Sequence, residues 1–219
     1  MQGKSKAETD YHHPRFTQLS ESHCGPAVIQ MMLSSMGIDV SQELIVDAAE
    51  AAERIEEHGT RVDQLALAVR RLVPELRFYY KDHATIAELV RIVDQEGYPV
   101  GVEWQGMFEG EPESEETQAS GAPLLPDSES QDGDYGHYSL VIRAYLERRV
   151  LIIADPYKDY ISQDRIFTFR EFDSRWFDYN EVPNPRSRRK KYVKDDHMLF
   201  VIVPSNETFP HELGMRQFE

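Results

Sequence analysis

Cysteine is almost absent from this sequence: Cys24 is the only one in 219 residues. A lone thiol closes no internal disulfide and excludes a disulfide-stapled scaffold. No run approaches the ~20 apolar residues that a membrane helix needs, so no membrane span is expected. The first residues, MQGKSKAETDYHHPRF, contain no apolar core, and no signal peptide is expected. A lone thiol without a leader points to a reducing, cytoplasmic setting. Positive charge is also scarce. Lys and Arg number 24 against 39 Asp and Glu, for a formal net charge of -15. That balance argues against nucleic acid as a partner, and solubility is the plainest use of it. No metal or other cofactor is expected. His12 and His13 are neighbours whose side chains would point apart on a strand, and no second ligand cluster has zinc spacing. There is no internal repeat.

What is present fits one globular unit: 40% of residues are hydrophobic, enough for a sizeable core. Residues 1–15 read as an arm, 16–204 as the domain and 205–219 as a tail. The first half is mostly helical. A helix begins at Cys24, with Pro26 in its first turn, and Gly37 is a plausible stop. Ala27, Val28, Ile29, Met31, Met32, Leu33 and Met36 cover nearly every face of it, so it should be buried. Ser41 caps an expected helix over 42–56, with Leu44, Ile45, Ala48, Ala49 and Ala52 inward. Thr60 with Asp63, and Thr85 with Glu88, have capping-box spacing before two more helices, the second ending at Gly97. The second half is strand-like. Segments 98–104, 137–146, 150–154, 166–169 and 197–203 are short, rich in β-branched and aromatic residues, and bounded by turn residues. A short helix is expected to carry Phe172, Trp176 and Phe177. Helices first and antiparallel strands second make an α+β arrangement, the helical half packed on the sheet.

Two charged segments interrupt this pattern. Residues 109–134 hold nine acidic residues, three prolines and three glycines, with no Lys or Arg. They read as a long flexible insertion near the site, a lid or an attractor of basic substrates, or a solvated loop with no role. Residues 186–194 carry six basic residues and read as a surface hairpin or a dock for an anionic partner.

Cys24 has two readings: a buried structural thiol, or a nucleophile at the start of a helix. A cysteine attacks as its thiolate, and both a helix N-terminus and an imidazolium partner favour that form. Of eight histidines, His12, His13, His23, His58, His83 and His211 sit in polar contexts and read as surface side chains. His197 opens a strand and is a weaker rival. His137 opens an apolar strand after Gly136, beside a loop, where it can face a cleft. Asp155 ends the next strand, so a hairpin would bring it to the same end as His137, where it can orient the imidazole. Asp155-Pro156 is also an ordinary strand-ending turn. The Cys24 N–H and the Gln18 side-chain amide are candidate oxyanion donors.

Gln18-x5-Cys24-Gly25-Pro26-Ala27, then Gly136-His137-Tyr138-x2-Val141, then Asp155-Pro156 resembles the papain-like peptidases that process double-glycine bacteriocin leaders, family 39 of the cysteine peptidases. Gly59-Thr60 with Leu65, and Gly97-Tyr98-Pro99-Val100, are similar to that family too. The resemblance covers roughly residues 14–160. It implies a papain-like fold over 16–204, with Cys24 as nucleophile, His137 as general base and acid, Asp155 as orienter and Gln18 as oxyanion donor. The best-known members are fused to an exporter with an ATPase; this sequence shows neither a membrane span nor a P-loop, so it resembles a stand-alone member. The expected function is thiol-dependent hydrolysis of a peptide or peptide-like amide through a thioester. The alternatives are acyl transfer to an amine, and peptide binding without catalysis on the same fold. No oligomeric state follows from the sequence.

Overall fold

The structure, a computed structural model, describes residues 13–106, 136–182 and 191–219. The acidic insertion, and the basic stretch before Lys191, lie outside these residues.

Helix α1, Cys24–Ser35, is buried along nearly its whole length; Ala27, Val28, Ile29, Met31, Met32 and Leu33 expose nothing. It ends as expected. Gly37 takes φ +78°, a left-handed conformation that strains any residue with a Cβ. The Ile38 and Gly37 N–H groups then donate back to the Leu33 and Ser34 carbonyls, satisfying the last turn. The helix expected over 42–56 is broken into α2, Gln42–Ala48, and α3, Ile55–His58. Ser41 caps α2, but Glu50 turns left-handed and the Ala51 N–H reaches back to the Val46 carbonyl. The break carries Ala51 and Ile55 into the core and leaves Leu44 and Ala52 exposed, against their expected inward placement.

Helix α4, Val62–Leu72, starts differently from the expected Thr60 box. Arg61 is the cap residue, and its N–H donates to Gln64 Oε1 at 3.0 Å. The Thr85–Glu88 box is present at the start of α5, Ile86–Val90, which runs on as a π-helical turn to Glu96 and ends at Gly97.

The strands are β1 Leu76–Lys81, β2 Val100–Gln105, β3 Gly136–Tyr145, β4 Val150–Ala154, β5 Arg165–Thr168, β6 Phe177–Val182, β7 Lys191–Asp196, β8 Leu199–Pro204 and β9 Arg216–Gln217; helix α6, Phe169–Arg175, follows β5. Seven strands form one antiparallel sheet in the order β5-β4-β3-β2-β8-β1-β9, and β6 with β7 form a separate hairpin. Strand β1 is not expected from the sequence, nor is strand β6, which pairs with β7 at the end of the stretch read as a surface hairpin. Phe177, expected in the short helix, starts β6 instead. Residues 205–219 do more than trail away: Phe209 and Leu213 are buried, and β9 pairs with β1.

Both faces of the large sheet are covered. On one, α1, α2 and α4 pack on Phe78, Tyr138, Leu140, Phe200 and Ile202. On the other, α5, its π turn and α6 pack on Val100, Val102, Trp104, Val141 and Val201. Burial of this many apolar side chains on both faces is the main driving force for the fold. Among the described residues no helix is long and apolar enough to cross a membrane.

Candidate active site

The N-terminus of α1 meets the start of β3 at the end of the large sheet. Cys24 is the first residue of that helix and is 7% exposed. The N–H groups of a first helical turn have no acceptor within the helix, so they remain available there. Gly25 lets the helix start sit this deep: a Cβ at that position would overlap Thr60 Oγ1 and lie 3.2 Å from Leu65 Cδ1. Thr60 is buried, and its hydroxyl has no hydrogen-bond partner among the described residues.

His137 lies one residue into β3 and is buried. The Cys24 side chain is a hydrogen-bond partner of its imidazole. Its Nε2–H donates to Asp155 Oδ1 at 2.8 Å, which leaves the Nδ1 edge for the thiol. Asp155 follows the last residue of β4 and exposes nothing. Its carboxylate accepts from four donors. Oδ1 takes His137 and the Tyr157 N–H at 2.9 Å; Oδ2 takes Arg165 Nη1 at 2.6 Å and the Ser139 hydroxyl at 3.4 Å. The Tyr157 bond is the Asp-Pro turn expected at this place. One carboxyl therefore closes the turn and grips the imidazole.

These contacts set the charge states. Burial pushes the Asp155 carboxyl up, but the His137 charge and hydrogen bond, the Arg165 charge and the Tyr157 N–H outweigh it and hold it at about 2. Burial likewise opposes charge on His137, yet Asp155 and Cys24 together raise the imidazole to about 10. His137 is thus an imidazolium at neutral pH. On the opposite face of the same strand Tyr138 is pushed well above its ordinary value, by burial and then by the Glu103 carboxylate across the strand pair.

The four residues singled out from the sequence are placed unequally. Cys24, His137 and Asp155 form a continuous buried chain of contacts. Gln18 is buried beside them, and its backbone N–H donates to the Pro156 carbonyl at 2.9 Å, next to Asp155. Its side-chain amide donates to the Ser20 carbonyl at 2.9 Å, while Oε1 has no partner among the described residues. The expected donor is therefore engaged through one N–H.

Several neighbours escaped the sequence reading. His23, whose polar context reads as surface, is buried next to Cys24. Its Nδ1–H donates to the Ser20 hydroxyl at 2.7 Å, and that hydroxyl donates to the Glu56 carboxylate at 3.0 Å. His13, read the same way, is half-buried and pushed down to about 4, by burial first and then by the Arg15 charge. Ser139 links Trp104 Nε1, at 3.0 Å, to Asp155. Arg165 carried no local signal, because its role depends on β5 pairing with β4. Ser139 had one: it lies two residues after His137 on a strand, hence on the same face. Among the described residues no group of three or more His, Cys, Asp or Glu side chains forms a metal site.

The sequence matches the model of the Peptidase_C39 like family over residues 12–183. A comparison with curated proteins finds no match. Among solved structures, the peptidase domain of Streptococcus ComA, a bifunctional ABC transporter involved in quorum sensing, aligns with a TM-score of 0.54 at 15% identity, covering 88% of this chain and 99% of that one. A double glycine motif protease from an AMS/PCAT transporter, solved with a leader peptide, aligns at 0.52 and 14% identity, covering 87% and 91%. A C39-like peptidase from Bacillus anthracis aligns at 0.51 and 18% identity, covering 87% and 94%. At such identities the likeness shows the fold, which is that of the papain-like C39 peptidase domains. The family match itself spans most of the sequence and includes Cys24, His137 and Asp155, and by it the chain belongs to the Peptidase_C39 like family.

Proposed function

We propose that the protein is a cysteine peptidase or closely related amide hydrolase, with the activity carried by residues 16–204. The observation that supports this best is the buried chain from the Cys24 side chain through His137 to Asp155. Cys24, as thiolate, attacks the carbonyl carbon of a peptide or peptide-like amide. The oxyanion forms at the α1 N-terminus, where the Cys24 N–H and the second amide hydrogen of Gln18 can donate to it. His137 gives its proton to the leaving amine as the C–N bond breaks, and a thioester to Cys24 remains. Water then attacks the thioester. His137 takes a proton of that water, the C–S bond breaks, the acid product leaves, and the Cys24 thiolate and His137 imidazolium are restored. Asp155 stays ionised and holds the imidazole in the orientation that both steps need. A free catalytic thiol suits a reducing compartment, and the cytoplasm is the proposed location.

The test uses a thiol-directed activity probe and a peptide library, with products read by mass. Wild-type protein should label at Cys24 and release shortened peptides. Cys24→Ala should abolish both, and His137→Ala should reduce turnover by ~10³-fold or more, given the interdependence of such groups. Turnover by Cys24→Ala equal to wild type would overturn the reading. Product masses equal to joined rather than cleaved peptides would move the assignment to acyl transfer.

A further inference from the structure

The mechanism above uses one oxygen of Asp155. The other is held by a buried guanidinium that has no part in it. Arg165 opens β5, the edge strand beyond β4, and stands across from Ile153 in the strand pair. From there it reaches the end of β4 and donates to Asp155 Oδ2 at 2.6 Å, with 9% of its side chain exposed. Aromatic rings fix the guanidinium in place: it lies 3.9 Å from the Tyr160 ring centroid, 5.0 Å from Phe167 and 5.6 Å from Trp104.

We propose that Arg165 is a positioning residue of the site, which keeps Asp155 ionised and turned with Oδ1 toward His137 throughout the reaction. This rests on the reading of Cys24, His137 and Asp155 as a catalytic set. The carboxylate of an aspartate rotates in a broad, two-fold well, so a single bond to His137 would not fix its plane. Arg165 on Oδ2 and the Tyr157 N–H on Oδ1 do fix it.

While His137 is an imidazolium, Asp155 has a cation beside it. Once His137 has given its proton to the leaving amine, that cation is gone, and a carboxylate with no exposure would tend to become neutral. A guanidinium is a permanent cation in proteins. Arg165 remains the compensating charge during the half of the cycle in which the imidazole is neutral. Among the described residues, the charged and titratable side chains that face Asp155 are His137 from β3, with the Cys24 side chain of α1 behind it, and Arg165 from β5. The adjacent Asp164 is directed outward to an ion pair with Arg15.

The experiment compares Arg165→Met, which keeps length but removes charge, with Arg165→Lys, which keeps charge but loses the planar fork. Alkylation of Cys24 by iodoacetamide, followed by mass across pH, needs no substrate. Turnover of a library-derived peptide gives kcat and KM. With Arg165→Met the acid limb of both profiles should rise by roughly 1–3 pH units, the displacement that an opposite charge produces on a carboxyl. In turnover, kcat should fall by ~10-fold or more, as one pKa unit corresponds to tenfold, while KM stays within about twofold, as expected for a group that never touches substrate. Arg165→Lys should recover part of the kcat and most of the acid limb. A folded Arg165→Met with wild-type kcat and unshifted limbs would overturn the proposal. Were Arg165→Met to unfold, a folded Arg165→Lys as slow as Cys24→Ala, with KM changed as much as kcat, would refute it by showing a general structural role. Turnover by Cys24→Ala would defeat the catalytic reading, while the alkylation profile would still report whether Arg165 governs the Asp155–His137 pair.

Discussion

Replacing Asp155 by Asn tests the buried ion network by stability alone, without any substrate. Asn keeps the size and one acceptor oxygen for His137 and the Tyr157 N–H. It removes the charge that two buried cations share. The native carboxyl is held at about 2 against an ordinary 3.8. That difference alone corresponds to ~2 kcal/mol at 1.36 kcal/mol per unit. The variant also strands Arg165 and His137 in an interior without an anion, and breaking a buried pair from one side costs ~3–5 kcal/mol. The larger figure governs, because the orphaned cations remain buried. For a chain of this size 1 kcal/mol shifts Tm by roughly 2–4 °C, so Asp155→Asn should melt about 6–20 °C below wild type near pH 5.

The gap should depend on pH in a defined way. The depressed Asp155 value contributes stability that is present above 3.8 and lost as pH falls through about 2. The raised His137 value contributes stability that is full below 6.5 and lost as pH rises through about 10. Wild type and variant should therefore differ most between about pH 4 and 6.5 and converge on both sides, the part that survives at high pH being the Arg165 share. Differential scanning calorimetry from pH 2 to 10 reads this directly. Equal Tm values at pH 5, or a gap that stays constant down to pH 2, would refute the network as described.

Two further outcomes follow from packing. Phe200 is fully buried in β8, stacked on Phe78 at 5.1 Å, and lies over Gly101 of β2. Phe200→Ala should lower stability by ~3–5 kcal/mol in urea unfolding, and a loss below ~1 kcal/mol would mean that the site collapses around the gap. Gly25→Ala should destabilise by ~1–3 kcal/mol, because the new methyl overlaps Thr60 Oγ1 in a packed core. Adding Thr60→Ala should recover part of that loss in the same assay; an additive second loss would show that the strain lies elsewhere.

Much of this fold is written locally. Helix α1 is legible from an unbroken apolar run between a Gly-Pro start and a Gly stop, and the Thr85 box from its spacing. Legibility fails where distant partners decide. Residues 42–56 look like one helix because Leu44, Ala48 and Ala52 keep the period, yet a left-handed Glu50 breaks it so that Ala51 and Ile55 can bury. Strand β1 follows four helices and is stabilised by β8, about 120 residues later, so its place in the sheet is decided by a distant partner. His23 looks exposed among Ser and Glu, and is buried because α3 brings Glu56 to the Ser20 hydroxyl.

The meeting of His137 and Asp155 shows the limit most sharply. The hairpin of β3 and β4 is readable, but a hairpin alone does not decide which face each side chain takes. Beyond the turn, Tyr145 pairs with Val150, Ala144 with Leu151 and Arg143 with Ile152. Continued without interruption, that register would set Asp155 opposite Leu140, on the face that packs against α1 and α2. His137 is on the other face, odd where Leu140 is even. Instead the register shifts between Val141 and Arg143, so that Val141 meets Ile153 and Leu140 meets Ala154. One extra residue, Ile142, moves Asp155 alongside Ser139 and therefore onto the face of His137. The 2.8 Å contact exists because of that bulge. Nothing in HYSLVIRAYL marks Ile142 as the inserted residue, since Val141 before it is equally β-branched and equally suited to a regular ladder. The identities of the site residues are thus a property of the sequence, whereas their convergence depends on a single irregularity in pairing, fixed by the packing of both sheet faces at once.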